Sequence, residues 1–253
     1  ACDDPCRGLR QSPINIVTSK VHIDIALSPF NFIGHTDTIN MTVENKGHSA
    51  HFVLPASVRF IGGALPGHYR AAQFHLHWGG NGRPGSEHTI DGERFPMEMH
   101  IVHIKEPYSS LAEAEHDTAG IALLAFLFEV IHFLTLLLSL SHEGSTTVIP
   151  NFRLCDIIPA AKDLQGYYRY VGSMTTPGCE QAVAWTVFHR KLAISIKQCR
   201  FWTGHPMTDI FRPTQPLDGR IVYSSKSGTA QTTATHFWCL FLSFVTVTLG
   251  LAH

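Results

Sequence analysis

Short runs of alternating apolar and polar residues, separated by Gly, Pro and Asn, constrain the fold of this chain more than any other feature. They fill the segment from Val17 to Pro107, with Val21–Ile25 and Ile39–Val43 as clear examples. A period of two residues is typical of β-strands, because successive side chains of a strand point to opposite faces of a sheet. The sequence therefore predicts a mainly β (α+β) domain built on a large central, mostly antiparallel twisted β-sheet.

Further apolar runs predict the rest of this sheet, and two segments predict peripheral short helices, Ser109–His116 and Ile131–Leu140. No internal repeat or linker divides the chain, so one domain is expected. The additional strands are expected at Ala50–Leu54, Arg70–Trp78, Met97–Lys105, Gly120–Glu129 and Ala182–Ile194.

One apolar stretch, Ile121–Leu140, is long enough to span a bilayer. Glu129, His132 and Thr135 interrupt it. Its first part, Ile121–Phe128, has the composition of a buried central strand. We therefore interpret the stretch as a core strand followed by a helix.

The charge balance excludes nucleic acid as the expected partner. Lys and Arg number 19, Asp and Glu number 20, and no polybasic tract occurs. The 17 histidines are unusual, and His is the commonest zinc ligand. The six cysteines have neither zinc-finger nor redox CxxC spacing, which argues against a zinc-thiolate site.

The segment Gln73–Trp78 carries the decisive pattern. On a strand, His75 and His77 point to the same face, and His100 on the next predicted strand would lie alongside them. Three imidazoles and one water form a tetrahedral catalytic zinc site with an open position. Gln73 and Glu98 each precede a ligand by two residues, so both are expected to accept hydrogen bonds from ligand imidazoles.

The carboxyl-terminal sequence predicts a membrane attachment. A polar run over residues 224–235 leads into an uncharged apolar tail, residues 236–253. This arrangement matches a GPI-anchor signal whose tail is removed, and a short membrane helix is the alternative. The sequon at Asn40 fits glycosylation on a secretory route. The expected organisation is a catalytic domain over residues 1–223, a spacer with the attachment region, and the tail.

Six segments between residue 11 and about residue 223 resemble, in the same order, the signature segments of α carbonic anhydrases. The extracellular, GPI-linked branch is the nearest match, because of the apolar tail and the pair Cys6 and Cys179. The segments are Gln11–Ile16, Asn45–Ser49, Gln73–Gly79, Gly85–Thr89, Glu98–His103 and Gly172–Pro177.

This resemblance implies reversible hydration of carbon dioxide to bicarbonate by zinc-bound hydroxide on the outer face of the plasma membrane. By similarity, Zn²⁺ is held by His75, His77 and His100. Thr175 would accept a hydrogen bond from the hydroxide and donate its own proton to Glu87. The amide of Thr175 and the side chain of Thr176 would contact the substrate.

The resemblance also implies an apolar wall, a proton shuttle and a disulfide. His48 corresponds to the residue that carries the released proton to buffer, and His51 is a second candidate carrier. Cys6 is expected to pair with Cys179, whereas Cys2, Cys155 and Cys199 have no evident partner and Cys239 would leave with the tail. The wall residues are Val102, Ile121, Leu123, Met174, Val183 and Trp185.

The chain departs from the family at several places. The segment before Gln11 is short, a loop after Glu129 is missing, and part of the helix between Ser195 and Phe211 is absent. Ile210 replaces a common asparagine whose backbone carbonyl contacts a ligand, so little effect is expected.

Two other functions remain as alternatives. A catalytically weak or inactive carbonic-anhydrase-like binding module would lack an intact zinc site, and here all three histidines are present. A cupin also places HxH on a strand but would give the Ser173–Thr176 segment no role. The sequence does not identify a bicarbonate transporter as a partner.

Overall fold

The computed structural model describes residues 5–47, 49–80, 83–130, 144–194 and 208–225. Within these ranges, one sheet contains 13 strands and a small second sheet contains three. The predicted mainly β class with few short helices is confirmed. The expected helix Ile131–Leu140, the residues 195–207 and the spacer beyond Ser225 lie outside the described residues, as do His48, Cys2, Cys199 and Cys239.

Strands outnumber helices in the described part of the chain. Within the described ranges, the α-helix α1 spans Leu111–Ala114, and 3-10 turns occupy Pro5–Arg7, Thr18–Lys20, Leu154–Asp156 and Ala161–Asp163. The strands are β1 (Asn15–Ile16), β2 (His22–Ile23), β3 (Phe30–Ile33), β4 (Ile39–Asn45), β5 (Ala50–Val53), β6 (Arg59–Gly62), β7 (Tyr69–Trp78), β8 (Thr89–Ile90), β9 (Glu93–Arg94), β10 (Met97–Lys105), β11 (Ile121–Val130), β12 (Thr146–Phe152), β13 (Tyr167–Gly172), β14 (Val183–Phe188), β15 (Leu192–Ile194) and β16 (Tyr223–Ser224).

The large sheet runs from β12 at one edge to β2 at the other, in the order β12-β4-β5-β7-β10-β11-β14-β13-β16-β2. Most neighbours are antiparallel, as predicted, whereas β11 pairs in parallel with β14 and β16 with β2. The two long strands β7 and β10 lie side by side at its centre. Their pairing brings together the two histidine-bearing segments that the sequence predicted to be adjacent.

Alternation along the central strands separates two apolar cores, one on each face of the sheet. On β11, Leu124 and Phe126 belong to one buried cluster and Leu123 and Leu127 to the other. The first cluster also contains Phe74 and Leu76 of β7, which face away from His75 and His77, as the strand period predicts. The histidines therefore share a face with the second cluster.

The predicted single strand Ala182–Ile194 is wrong. The structure divides it into β14 and β15 around a turn, and the His189 amide donates to the Gly166 carbonyl there. β14 pairs with the first half of β11, and β15 pairs with its last residues, Phe128–Val130. His189, Arg190 and Lys191 separate the two strands, and both strands run parallel to β11. Only the pairing with β11 shows where one strand ends and the next begins.

Two other predicted elements are shorter than expected. Val21–Ile25 contains only the two-residue β2, whose His22 and Ile23 are exposed, because this strand lies at the sheet edge. The predicted helix Ser109–His116 contains α1, four residues long and capped by the Ser110 hydroxyl, which accepts from the Glu113 amide. Ala114 is its one buried side chain, so little packing favours a longer helix.

The apolar stretch that resembled a membrane span begins as the core strand β11. Its side chains from Ile121 to Leu127 are buried between neighbours on both sides. No helix within the described ranges is both long and apolar enough to cross a bilayer.

His103 shows that this core disfavours a charged side chain. Its imidazole is completely buried against the ring of Phe60, and Nδ1 lies 3.1 Å from the Ile101 carbonyl. Burial lowers the pKa of His103 from 6.5 to about 3. Protons therefore bind this residue far more readily in the unfolded chain, and the fold loses stability as the pH falls below about 6.5.

We expect the contribution of His103 to the loss of folding stability at low pH to be absent from His103→Gln. Between about pH 7.5 and about pH 5, His103 alone should lower the free energy of unfolding of the parent by about 2 kcal/mol. The variant lacks the titrating group, so the stability gap between parent and variant should narrow by that amount in urea denaturation. The exposed His68→Gln serves as control. An equal gap at both pH values would contradict the prediction.

Candidate metal centre

The register of β7 and β10 assembles three imidazoles on one face of the sheet. His75 lies directly opposite His100, and His77 lies opposite Glu98. All three histidines are buried, and one ring nitrogen from each lies within 4.8 Å of the others. The two strands thus bring together residues 23 to 25 positions apart without any contribution from a loop.

Hydrogen bonds fix which nitrogen of each ring carries its proton. His75 Nδ1 lies 3.0 Å from Gln73 Oε1, and His77 Nδ1 lies 3.0 Å from the Ile210 carbonyl. His100 turns the other way, with Nε2 2.8 Å from Glu98 Oε1. Since these oxygens accept, Nε2 of His75 and His77 and Nδ1 of His100 are left with lone pairs.

Two of these lone pairs face each other closely. His77 Nε2 and His100 Nδ1 are 3.1 Å apart. The assigned tautomers give neither nitrogen a proton to share, so this contact is repulsive unless a cation lies between them. Two nitrogens bound tetrahedrally to one zinc ion at 2.0–2.1 Å would be separated by about 3.3 Å. The donor set and its spacing therefore fit zinc.

Glu98 holds His100 in position through a buried network of hydrogen bonds. One carboxylate oxygen, Oε1, accepts from His100 and, at 2.6 Å, from His88 Nδ1. The other, Oε2, accepts from the backbone amides of Glu87 and His88 at 2.8 and 2.7 Å. His88 Nε2 then lies 2.7 Å from the Tyr170 hydroxyl, which contacts Ser12 Oγ at 2.9 Å. Every polar atom in this chain of contacts is buried and paired.

Burial and neighbouring charge set the protonation of these groups in opposite ways. Burial lowers the pKa of His77, and nearby Glu87 only partly opposes it, so the neutral form that binds metal is favoured. Burial also opposes the charge of Glu98, but attraction and hydrogen bonds from His88 and His100 hold its pKa well below the usual range. The carboxylate therefore stays ionised beside the ligands.

Just before Glu87, the backbone at Gly85 passes very close to the backbone at Gly79. A Cβ on Gly85 would lie 1.8 Å from the Gly79 amide nitrogen, so only glycine allows the chain to pass there. Glu87 Oε1 accepts from the Arg212 amide at 2.7 Å and lies 3.5 Å from His77 Nδ1. Its Oε2 is buried and has no hydrogen-bond partner among the described residues.

The expected hydrogen bond between Thr175 and Glu87 is therefore not made in this conformation. Thr175 and Thr176 are partly buried in the turn that follows β13. The predicted disulfide Cys6–Cys179 is confirmed, with the two Cα atoms 5.0 Å apart. It ties the amino-terminal segment to the turn that carries both threonines.

The predicted apolar wall lies on the same face of the sheet as the three imidazoles. On β10 and β11, Val102 is paired with Leu123, and Leu123 is paired with Trp185 of β14. The Trp185 ring also contacts His100, with 4.8 Å between centroids. Five of the six expected residues are fully buried and Met174 packs against them; together they are Val102, Ile121, Leu123, Met174, Val183 and Trp185.

The remaining predicted residues have separate positions. His51 of β5 pairs with His75, and their rings stack with centroids 5.3 Å apart. Asn40 is exposed on β4, as a glycosylation site must be. Cys155 is a free thiol, partly buried.

Sequence reasoning overlooked two supporting residues, His88 and Arg212. His88 lies inside the quoted Gly85–Thr89 segment, and its role appears only once Glu98 is placed beside it. The Arg212 guanidinium donates to Gln11 Oε1 and the Ser12 carbonyl at 2.8 and 2.9 Å, which fastens the amino-terminal segment to the site. No local pattern marks Arg212, because its partners lie about 200 residues away in sequence.

Comparison with known proteins gives a consistent result. The model of the family described as eukaryotic-type carbonic anhydrase matches residues 2–226. Carbonic anhydrase 4 of Oryctolagus cuniculus is 40% identical over 241 residues, which cover 88% of this chain and 78% of that protein. Carbonic anhydrase 15 of Mus musculus is 36% identical over 273 residues (97% and 84%), and carbonic anhydrase 12 of Homo sapiens is 35% identical over 245 residues (88% and 68%).

We expect Glu98→Gln to weaken zinc binding by about 10- to 100-fold, because the amide cannot hold His100 as the carboxylate does. Competition with a chromophoric chelator measures the affinity, and circular dichroism checks the fold. Glu113→Gln makes the same chemical change on the exposed surface of α1 and should leave the affinity unchanged. Equal zinc affinity of Glu98→Gln and the parent would refute the supporting role of Glu98.

Proposed function

Because the chain belongs to the eukaryotic-type carbonic anhydrase family, we propose that it catalyses the zinc-dependent, reversible hydration of carbon dioxide to bicarbonate and a proton. The convergence of three buried imidazole lone pairs carries the proposal. His75 and His77 would bind zinc through Nε2, and His100 through Nδ1. Bound zinc would lower the pKa of a coordinated water and so supply a nucleophile near neutral pH, the behaviour for which carbonic anhydrases are the reference case.

The groups around the ligands hold them ready for the ion. Gln73, the Ile210 carbonyl and Glu98 each accept a proton from one ring and so orient its lone pair. Ligands that are already oriented need little rearrangement when the ion binds. Ile210 acts here through its backbone, which explains why an asparagine is not required at this position.

Thr175 and Glu87 are proposed to orient the reacting oxygen. Glu87 Oε2 is a buried carboxylate oxygen that lacks a partner in the described part of the chain, so a hydroxyl turned toward it would gain a strong hydrogen bond. Thr175 is the hydroxyl that the family resemblance assigns to this place. With its proton directed at Glu87, Thr175 can only accept from a second group, which fixes the direction of that group's lone pair.

Carbon dioxide is proposed to dock against the apolar wall beside the imidazoles. Val102, Leu123 and Trp185 form a continuous row across three strands next to His100. An apolar molecule without a dipole gains contact there without competing for the ligand nitrogens. The amide of Thr175 and the side chain of Thr176 would then hold the more polar product.

His48 is proposed to carry the released proton to buffer. An imidazole with an ordinary pKa near 6.5 accepts and releases protons at neutral pH. The assignment rests on the segment Asn45–Ser49 and on His51, which stacks on His75 nearby.

The domain over residues 1–223 is proposed to act on the extracellular face of the plasma membrane, held by a GPI anchor attached within residues 224–235 after removal of residues 236–253. The disulfide Cys6–Cys179 supports a secretory route, because such bonds persist in oxidising compartments. The exposed Asn40 would carry a glycan.

Stopped-flow hydration of carbon dioxide, combined with zinc analysis, tests the catalytic proposal. The parent should bind one zinc ion per chain and be active, whereas His100→Ala should lose both metal and activity. The exposed His68→Ala is the matched control and should keep both. A parent that binds zinc but does not hydrate carbon dioxide would instead be a non-catalytic binding module.

His48→Ala tests the proton-transfer step separately. In dilute buffer its turnover should fall by about 10-fold or more, and concentrated imidazole buffer should restore it, because a small base can replace the lost shuttle. Zinc content should not change. Turnover equal to that of the parent in dilute buffer would exclude His48 as the shuttle.

A further inference from the structure

The β12 edge of the large sheet is long and open. In the described part of the chain, no strand pairs with the outer side of β12. A strand at an edge presents unpaired amides and carbonyls, which can pair with another chain. The opposite edge, β2, has only two residues, whereas β12 has seven. The risk of association through an edge is therefore concentrated at β12.

The two halves of β12 differ in how well they resist such pairing. Near the end of the strand, Pro150 and a register shift interrupt the regular ladder. The first half, Thr146–Ile149, contains no charged residue and consists only of β-branched side chains, which favour strand pairing. Its first three side chains are exposed, and Val148 exposes 57% of its surface. The first half therefore lacks the charges that commonly protect an edge strand.

The one N-glycosylation sequon in the sequence lies beside this half of β12. It consists of Asn40, Met41 and Thr42 on β4, the strand that pairs with β12. Thr42 pairs directly with Val148, and Asn40 lies two residues away on the same face of the sheet. At about 3.4 Å per residue along a strand and about 4.8 Å between strands, the Cα atoms of Asn40 and Val148 are about 8 Å apart.

A hydrogen bond orients the Asn40 side chain toward β12. Its Oδ1 accepts from the Asn151 amide at 3.4 Å. This bond uses the oxygen and turns Nδ2, the atom that an N-linked glycan occupies, away from the Asn151 amide. Asn40 is exposed, so a glycan on Nδ2 would leave the sheet at the border between β4 and β12.

We infer that the glycan on Asn40 covers the first half of β12 and prevents the chain from associating through this edge. An N-linked glycan is bulky and solubilising, so it excludes a second strand by its volume. This inference rests on the glycosylation in the proposed function. It adds the role of the glycan, which replaces the charged side chains that protect other edge strands.

Without the glycan, the expected partner of β12 is the same strand of a second copy. A twofold axis can place two identical edge strands antiparallel, so that each presents the same residues to the other. Such a pair would continue the sheet across both copies and bury Val148. Association through β12 is therefore the result that loss of the glycan should produce.

Substitutions within the sequon test the cover. Thr42→Val and Asn40→Gln each remove the sequon, whereas Thr42→Ser keeps it. The full chain is expressed in mammalian cells, and its association is measured by sedimentation in density-matched detergent. Thr42→Ser should match the parent. Both variants without the sequon should associate about tenfold more strongly or more, because association then buries Val148 and its neighbours.

A further substitution in the Thr42→Val background locates the association. Val148→Lys should return the association constant to the parent value, because a charge on an edge strand opposes pairing. Leu9→Lys replaces another exposed apolar residue, on the amino-terminal segment, and should not reduce the association. Circular dichroism verifies the fold of each variant.

The outcomes separate this inference from the proposed function. Endoglycosidase treatment followed by mass spectrometry shows whether Asn40 carries a glycan. A glycosylated parent that associates as strongly as Thr42→Val and Asn40→Gln would overturn the cover and leave the glycosylation intact, as would association that Val148→Lys does not reduce. A parent without a glycan on Asn40 would overturn both, while zinc binding and hydration of carbon dioxide would remain separate results.

Discussion

The candidate metal centre depends on the orientation of imidazole lone pairs by oxygen acceptors. Without Gln73, the Ile210 carbonyl and Glu98, each ring could turn or exchange its proton between nitrogens, and no common point would be defined. Glu98 contributes most, because its two oxygens join His100, His88 and two backbone amides in one buried network. A carboxylate in that position is stable only because each of its acceptor sites is used.

The same strands that carry the three imidazoles also build the apolar surroundings of these rings. Alternation along β10 places Val102 on the face of His100, and pairing continues that row through Leu123 to Trp185. Trp185 is fixed in turn, because its indole donates to the Ser173 carbonyl at 2.9 Å. The Ser12 amide donates to Ser173 Oγ, and the Ser173 amide donates to Ser12 Oγ, both at 3.0 Å. These bonds fasten the amino-terminal segment beside Trp185.

Much of this could be predicted from the sequence, because strand periodicity is local. The positions of His75, His77 and His100 follow from alternation and adjacency, and β10 has the bounds that its pattern predicts. Contacts between distant segments could not be read in this way. The break between β14 and β15 depends on pairing with β11, and the Arg212 contacts join segments about 200 residues apart. The Thr175–Glu87 contact depends on the conformation of a turn, which periodicity does not specify.

The carboxylate network of Glu98 is complete within the polypeptide itself. Its partners are side chains and amides of the same chain, and none of its bonds requires the ion. The orientation of His100, which these bonds set, can therefore form during folding, before any metal binds. The zinc proposed for this site would then enter a domain that has already folded, and scarcity of the metal would delay loading without halting folding.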